Sequence, residues 1–501
     1  MSVGESNSSR GRVVFAVVAA AIFMSNLDLF IVNVALPSIG TDFGGSLARL
    51  SWILNGYAIA FAALLIAAGR LGDRIGQRRV FLAGVAVFTF ASALCAAAPN
   101  LGVLVAARVL QAAGAAALIP TSLALLLAAT PAQKRSGAVR GWAAIGGVSA
   151  ALGPVVGGLL VQANWRLVFL VNLPVGIAAI IAGRIVLPHP AGRPDEALPD
   201  LLGAALLTAG IGSLTGALVE APGWGWGSVR TIALFAASAI ALGWFLARCL
   251  SHERPLIELT LFRIPNYGTA TAAVFLFSLG FAAMLLSNVL WCQDVWHYSA
   301  LRTGLAVAPG PAMVPALAIG AGPLVRRVGP GIVAAAGNLT FAAGLLWRVL
   351  FAGTTPNYAT DLLPSMLLTG IGVGLALPTL ISTTATALPA ERFGTGSAIV
   401  NTSRQVASAL GVAILVTILG TPASPAAARA VFQHGWITAG AANLAAALVC
   451  LRLRQGQVLA VAARPAPEGE FSGSDSGSAS GSGESIEPTP VSISALSSPS
   501  S

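Results

Sequence analysis

Gly69-Arg70-Leu71-Gly72-Asp73-Arg74-Ile75-Gly76-Gln77-Arg78-Arg79 separates two long apolar runs. The segment Gly322-Pro323-Leu324-Val325-Arg326-Arg327-Val328-Gly329, 253 residues further on, separates two more. Both fit the pattern Gly-x-Leu-x-x-Arg-x-Gly. One short match could arise by chance in a chain with 56 glycines. A match at corresponding places in the order of apolar runs is more persuasive, and such internal repeats mark transporters built from two related halves. The glycines of such a loop permit tight turns and close helix packing.

The composition around these loops is that of a membrane protein. Of 501 residues, 56% are hydrophobic and only 9% charged, with a mean hydropathy of +0.82. A soluble chain carries about a quarter charged residues. Runs of about 20 apolar residues recur, each long enough to cross a bilayer as a helix. Irregular backbone cannot face lipid, so the spans must be helices. Fourteen are expected, at 13–37, 50–69, 79–98, 101–127, 140–162, 167–187, 200–219, 229–248, 267–291, 301–322, 330–352, 362–386, 394–419 and 431–451. The repeat then follows the second and tenth spans. That arrangement gives an all-α integral membrane protein with two six-helix bundles, 13–187 and 267–452. Spans seven and eight form an inserted pair within 188–266.

Charge distribution sets the expected orientation. With residues 1–12 and the C-terminus in the cytoplasm, 20 of the 28 basic residues fall in cytoplasmic segments, as the positive-inside rule requires. Arg49, Arg166, Arg230, Arg302, Arg348 and Arg429 are expected outside, and Arg108 and Arg404 within spans. This topology accounts for the net charge of +10 without a nucleic-acid partner. The first apolar run exceeds a signal-peptide core and no cleavage site follows it, so it is expected to be retained. Residues 453–501, rich in Ser, Gly and Pro beyond Arg464, are expected to form a disordered cytoplasmic tail.

Several functions are disfavoured. The four cysteines and four histidines are scattered without disulfide or zinc spacing, so no metal is expected. Lys134 is the only lysine and lies in Ala132-Gln133-Lys134-Arg135. A phosphate-cradling Gly-x-x-x-x-Gly-Lys-Ser/Thr loop is therefore absent, and no ATP site or other cofactor is expected. No nucleophile–base set points to an enzyme. Heavy Ala/Arg usage hints at a bacterial chain and a bacterial cytoplasmic membrane.

Three ionisable residues lie well inside the expected spans, away from their ends: Asp28, Arg108 and Arg404; the other charges fall in loops, at span ends or in the tails. Such residues are costly in a bilayer and are functional candidates by default. Asp28 lies about 13 Å from the outer end of span one, and Arg108 about 10 Å from the outer end of span four. The pair can couple proton occupancy to helix position; alternatively, Asp28 is a structural acid held by a helix partner. Arg108 and Gln111 share one helix face. In span five, Gly153 and Gly157 make a close-approach face and Pro154 bends the helix. Arg404, with Asn401 and Gln405, lies about 15 Å from the cytoplasmic end of span thirteen.

These segments together resemble the fourteen-span drug:proton antiporter group of the major facilitator superfamily, over residues 13 to 452. Gly69 to Arg79 is similar to that superfamily's signature between spans two and three, although Gln77 stands where a basic residue is usual. The resemblance implies a gating role for Gly69, Asp73, Arg74, Gly76, Arg78 and Arg79. Asp28 and the run Ile31-Val32-Asn33-Val34-Ala35-Leu36-Pro37 resemble the group's first-span motif. The region around Arg108 resembles its fourth-span motif, with Ala112 for the usual glycine. Gly153-Pro154-Val155-Val156-Gly157-Gly158 resembles the motif that separates exporters from uptake members, with Ser149 for a preceding glycine.

The implied fold is the major facilitator fold, and the implied function is proton-coupled efflux of lipophilic drugs or antibiotics by alternating access. Some members carry an acid in span ten that accepts divalent cations. Span ten here has none, which favours a neutral or monocationic cargo. Asn33, Gln111, Asn401, Arg404 and Gln405 are candidates for the substrate cavity, and Arg404 suits either cargo contact or pairing between bundles. The expected partners are the drug, protons and membrane lipid, with the protein acting as a monomer. Export of an endogenous metabolite, or uptake symport on the same fold, are the alternatives.

Overall fold

The computed structural model describes residues 3–131, 135–189, 192, 198–389, 392–422 and 424–453. The expected tail, apart from Leu453, lies outside the described residues. Among those described there are sixteen α-helices and no strand. Helices α1 (Val3–Phe43), α2 (Leu47–Ile75), α3 (Gln77–Ala96), α4 (Leu101–Ala128), α5 (Arg135–Ala163), α6 (Leu167–Leu170) and α7 (Asn172–Val186) make the first half. Helices α8 (Leu201–Trp224) and α9 (Val229–Ser251) follow as a pair. The second half comprises α10 (Tyr267–Leu290), α11 (Ala300–Val307), α12 (Pro309–Val328), α13 (Pro330–Phe351), α14 (Leu363–Thr386), α15 (Phe393–Leu419) and α16 (Pro425–Cys450).

Twelve of the described helices are long and apolar enough to cross a membrane, and the chain is a multi-pass membrane protein. The fourteen expected spans differ from these twelve at two places. The expected tenth span bends by 59° between Ala300–Ala318 and Gly320–Val328, in a segment holding Pro309, Pro311, Pro315 and Pro323 that deprive the backbone of helical donors. The expected last span corresponds to α16, long enough at 26 residues but diluted by Gln433, His434 and Asn443. The sixth span is α6 and α7 together; Val171 between them keeps helical angles (φ −59°, ψ −23°).

The loop repeat is repeated in backbone conformation. Gly76, between α2 and α3, has φ 104°, and Gly329, between α12 and α13, has φ 91°. Side chains rarely adopt this region, so glycine supplies both turns. The correspondence continues into the next helices at the same 253-residue offset. Gly84 of α3 packs on α4, where a Cβ would lie 2.9 Å from the Gly114 carbonyl oxygen; Gly337 of α13 packs on α14, with the Gly372 carbonyl oxygen also at 2.9 Å.

The two halves meet along α2 and α15, where the Thr402 hydroxyl donates to the Ala62 carbonyl at 3.0 Å, and along α5 and α11. Helix α8 covers the α2–α15 seam. Its Gly216 faces Trp52 of α2, and its Leu218 carbonyl accepts from Thr417 of α15 at 2.7 Å. Asp200 ties the start of α8 to the end of α9, capping the Gly203 amide at 2.8 Å. It also accepts from Arg248 at 2.8 Å and from the Leu256 amide at 3.2 Å.

Candidate functional site

Asp28 is completely buried in the middle of α1. An isolated carboxylate would be prohibitively costly there, and two neighbouring helices, α4 and α7, supply its partners. Arg108 of α4 forms an ion pair with Oδ2. Gln111, one turn along α4, donates to Oδ1 at 3.0 Å, and Asn172 at the start of α7 donates to the same oxygen at 3.0 Å. Both amides also reach the Ser92 hydroxyl of α3, at 2.8 and 3.3 Å. The Arg108 guanidinium stacks over the Tyr57 ring of α2, 4.3 Å from its centroid, and its Nε donates to the Ile53 carbonyl at 3.4 Å.

The expected Asp28–Arg108 pair is therefore a direct contact. Gln111, expected in a substrate cavity, is instead fully buried and spent on Asp28 and Ser92. Its place one turn from Arg108 turns it toward the same carboxylate. Ser92, Asn172 and Tyr57 were not anticipated. The available signal was their polarity within apolar runs, but uncharged residues of that kind are common enough in helices to carry little weight alone.

Chemically, the cluster can act as a switch. Ionised, Asp28 satisfies a guanidinium and two amides. Protonated, it no longer neutralises Arg108. A buried charge that loses its partner costs about 3–5 kcal/mol, so proton binding favours any rearrangement that resolvates or re-partners the guanidinium.

Helix α5 carries the Gly153–Gly158 motif directly onto the helix that holds Asp28. A Cβ at Gly153 would lie 2.4 Å from Phe30 Cβ, and one at Gly157 3.1 Å from Ile31 Cα. Gly158 turns toward the other half, where a Cβ would lie 2.5 Å from the Ala300 carbonyl oxygen. Gly304 of α11 sits equally close to the Pro154 carbonyl, at 2.1 Å for an added Cβ. Ser149, the departure from the usual glycine, is buried and donates to the Ile145 carbonyl at 2.8 Å and the Phe23 carbonyl at 3.4 Å. The motif is thus a backbone-to-backbone seam joining α1 to the opposite half.

In the loop, Gln77 donates to Asp73 at 2.7 Å, a bond that uses the substituted position. Gly72 is enclosed by Gln77 and Thr121, and Gly69 faces Pro120. Arg78 donates to the Arg184 carbonyl. Arg70 reaches the Arg254 and Pro255 carbonyls at 3.2 and 2.9 Å, tying the end of α2 to the segment after α9. Gly192 abuts the Arg74 carbonyl. A cavity of about 440 Å³ is lined by Gly76, Arg78, Arg79 and His189 among others.

Of the expected cavity residues, Asn33 is half-buried and donates to the Leu29 carbonyl of its own helix at 2.8 Å. Asn401, Arg404 and Gln405 are half-buried on α15, and Arg404 donates to Asn401 at 3.2 Å.

One arginine was misassigned. Arg348, expected outside, is fully buried in the last turn of α13, because Asn288 of α10, Met366 of α14 and Trp436 of α16 close over it at the span's end. It donates to the Asn288 side chain of α10, lies 5.4 Å from the Trp436 ring centroid, and makes no ion pair among the described residues. By the 253-residue offset it corresponds to Cys95, whose thiol lies 3.9 Å from the Gln111 oxygen of the Asp28 cluster. Among the described residues each half thus holds one fully buried arginine, but only the first supplies a carboxylate.

The sequence model of the Major Facilitator Superfamily matches residues 18–412. The chain belongs to the Major Facilitator Superfamily. Within the superfamily it is 35% identical over 408 residues to the tetracenomycin C resistance and export protein of Streptomyces glaucescens, covering 81% of this chain and 75% of that one. It is 33% identical over 471 residues to a cephamycin export protein of Amycolatopsis lactamdurans, covering 93% and 96%. A methylenomycin A resistance protein of Bacillus subtilis is 32% identical over 462 residues, covering 90% and 96%. Among solved structures, a proton-dependent oligopeptide transporter superposes with a TM-score of 0.62 at 14% identity, covering 88% of this chain and 98% of that one. That likeness concerns the fold.

Proposed function

We propose that this superfamily member is a proton-coupled exporter of lipophilic drugs or antibiotics, working by alternating access in a bacterial cytoplasmic membrane. The observation that carries the proposal is the packing of Gly153 against Phe30 two residues beyond the buried Asp28–Arg108 pair. The element resembling an exporter motif thereby touches the helix whose acid can take a proton. The relatives' names, each a resistance or export protein, favour the same reading.

In this account, cargo loads from the cytoplasm or inner leaflet. Asp28 accepts a proton from outside, Arg108 is released, and α1 shifts against α5. The α5–α11 seam transmits that shift to the second half, and the proton leaves inside on return. The loop from Gly69 to Arg79 holds the cytoplasmic side in one state and parts in the other. The proton-motive force is the sole energy source, with no cofactor, and the monomer is the working unit. Both termini are cytoplasmic, and the membrane part is two six-helix bundles with α8 and α9 inserted, fourteen crossings in all. At about 150 mV one proton supplies roughly 3.5 kcal/mol, on the order of a 300-fold gradient of neutral cargo.

The test is resistance profiling in a pump-deficient bacterium carrying the wild type or Asp28→Asn. The expected result is resistance to one or more lipophilic antibiotics that disappears in the variant. Resistance that persists undiminished in Asp28→Asn contradicts the proton-carrier role.

A further inference from the structure

Arg404 lies on a helix that is covered on every side. No described residue from 395 to 420 is exposed. Thr402 pins α15 to α2 and Thr417 pins it to α8. Toward α10 the contacts are closest. The Tyr267 hydroxyl donates to the Gly396 carbonyl at 2.9 Å, and a Cβ at Gly411 would lie 2.1 Å from the Leu279 carbonyl oxygen. Arg404 falls between these two points and, seven residues before Gly411, on the same helical face.

Within this enclosed stretch Arg404 is nevertheless half-buried, not sealed, and so are its polar neighbours Asn401, Ser403, Gln405 and Ser408. Part of the Arg404 side chain therefore stays accessible within a helix packed against α2, α8 and α10. Among the described residues the guanidinium makes one hydrogen bond, to Asn401 on its own helix. The three ion pairs among the described residues use Arg108, Arg166 and Arg248, so Arg404 has no carboxylate there. The contrast with Arg348 is informative. That arginine is also unpaired, but it is walled in by Asn288, Met366 and Trp436 and offers no surface to a ligand.

An enclosed guanidinium with open surface and no counter-charge is complementary to an anion. Its planar fork suits a carboxylate or an ionised phenol, and it repels a permanent cation. We propose that Arg404 recognises an acidic group on the cargo, which is a lipophilic weak acid. This rests on the export reading above and narrows it: the monocationic class is set aside, and the neutral class becomes acids that cross lipid protonated and bind ionised. Arg404 then acts as a specificity determinant, with Asn401 fixing its orientation.

The test uses the full chain in lipid nanodiscs with three fluorescent probes: pyrenebutyric acid, its methyl ester, and pyrenylbutyl-trimethylammonium. The wild type is expected to bind the acid at least about tenfold tighter than the ester. Arg404→Gln should bring the acid down to the level of the ester, with folding checked separately by thermal unfolding, and Arg404→Lys should keep part of the preference. Equal binding of acid and ester by the wild type, tighter binding of the ammonium probe, no binding of the acid, or an acid preference that survives in Arg404→Gln would each overturn the proposal. Proton-driven uptake of the probes into inverted vesicles is read separately. Uptake without acid preference refutes the role of Arg404 and leaves export standing. Acid preference in binding without any uptake refutes export and leaves the anion site.

Discussion

Gly153 and Phe30 are in direct contact: a Cβ at position 153 would lie 2.4 Å from Phe30 Cβ, closer than side-chain carbons pack. Phe30 follows Asp28 by two residues on α1. The exporter-like motif is therefore mechanically adjacent to the buried acid, and a side chain at 153 must push α1 away from α5. Gly153→Ala is expected to abolish resistance at normal expression. Gly146→Ala is expected to be tolerated, because its nearest neighbour, the Asn26 side-chain nitrogen, is 4.0 Å away. Resistance assays with membrane quantification by blot check both.

Arg108 and Asp28 should behave as one unit. Removing either partner leaves a buried charge or orphaned donors, so Arg108→Ala and Asp28→Asn should each destabilise the protein by about 3–5 kcal/mol. The double variant should lose clearly less than the sum. Thermal unfolding in detergent, read as a double-mutant cycle, measures the coupling. Additive losses would mean that the pair contributes little.

Asp200 caps α8 just before the apolar stretch Leu201–Trp224 and offers a pH prediction. Burial alone would raise its carboxyl. The Gly203 amide, the Arg248 hydrogen bond and charge, and the Leu256 amide outweigh that, so it titrates below the usual carboxylate range. A depressed folded-state value contributes stability that is present above the unfolded value and lost as pH falls through the folded one. Asp200→Asn keeps the cap but loses the charged bond to Arg248 and should therefore destabilise the α8–α9 attachment at pH 7 by about 1–2 kcal/mol. The difference from wild type should shrink only below about pH 4. Melting curves across pH 3 to 8 test this.

Asn288→Asp supplies the carboxylate that Arg348 lacks. Because the donor and acceptor positions are already in contact, the variant is expected to raise the melting temperature at neutral pH by a few degrees, on the order of 1 kcal/mol. A lower melting temperature would show that the guanidinium is already satisfied as it stands.

The architecture was largely legible in the residues. The 253-residue loop repeat anticipated two related halves, and the positive-φ Gly76 and Gly329 turns, with Gly84 and Gly337 behind them, carry that repeat into backbone geometry. Asp28 and Arg108 were legible because charge within an apolar run is rare. Ser92, Asn172 and Tyr57 were not, since their meeting around the Asp28–Arg108 pair depends on how α2, α3, α4 and α7 pack together. Arg348 was misread for a related reason: a charge near a span end is ordinarily wet, and only the neighbouring helices bury it. The proline-rich tenth span and the polar α16 were expected as plain crossings. A bend and a diluted apolar face are tertiary outcomes that a hydrophobic run alone does not specify.

The central claim is that Asp28 carries the coupling proton. The most direct measurement is cargo-driven proton movement in proteoliposomes containing wild type or Asp28→Asn, with cargo exchange measured alongside. Wild type is expected to move protons against cargo. In Asp28→Asn, proton movement should vanish while cargo exchange down its own gradient persists. Proton-driven uphill transport retained in Asp28→Asn would contradict the claim.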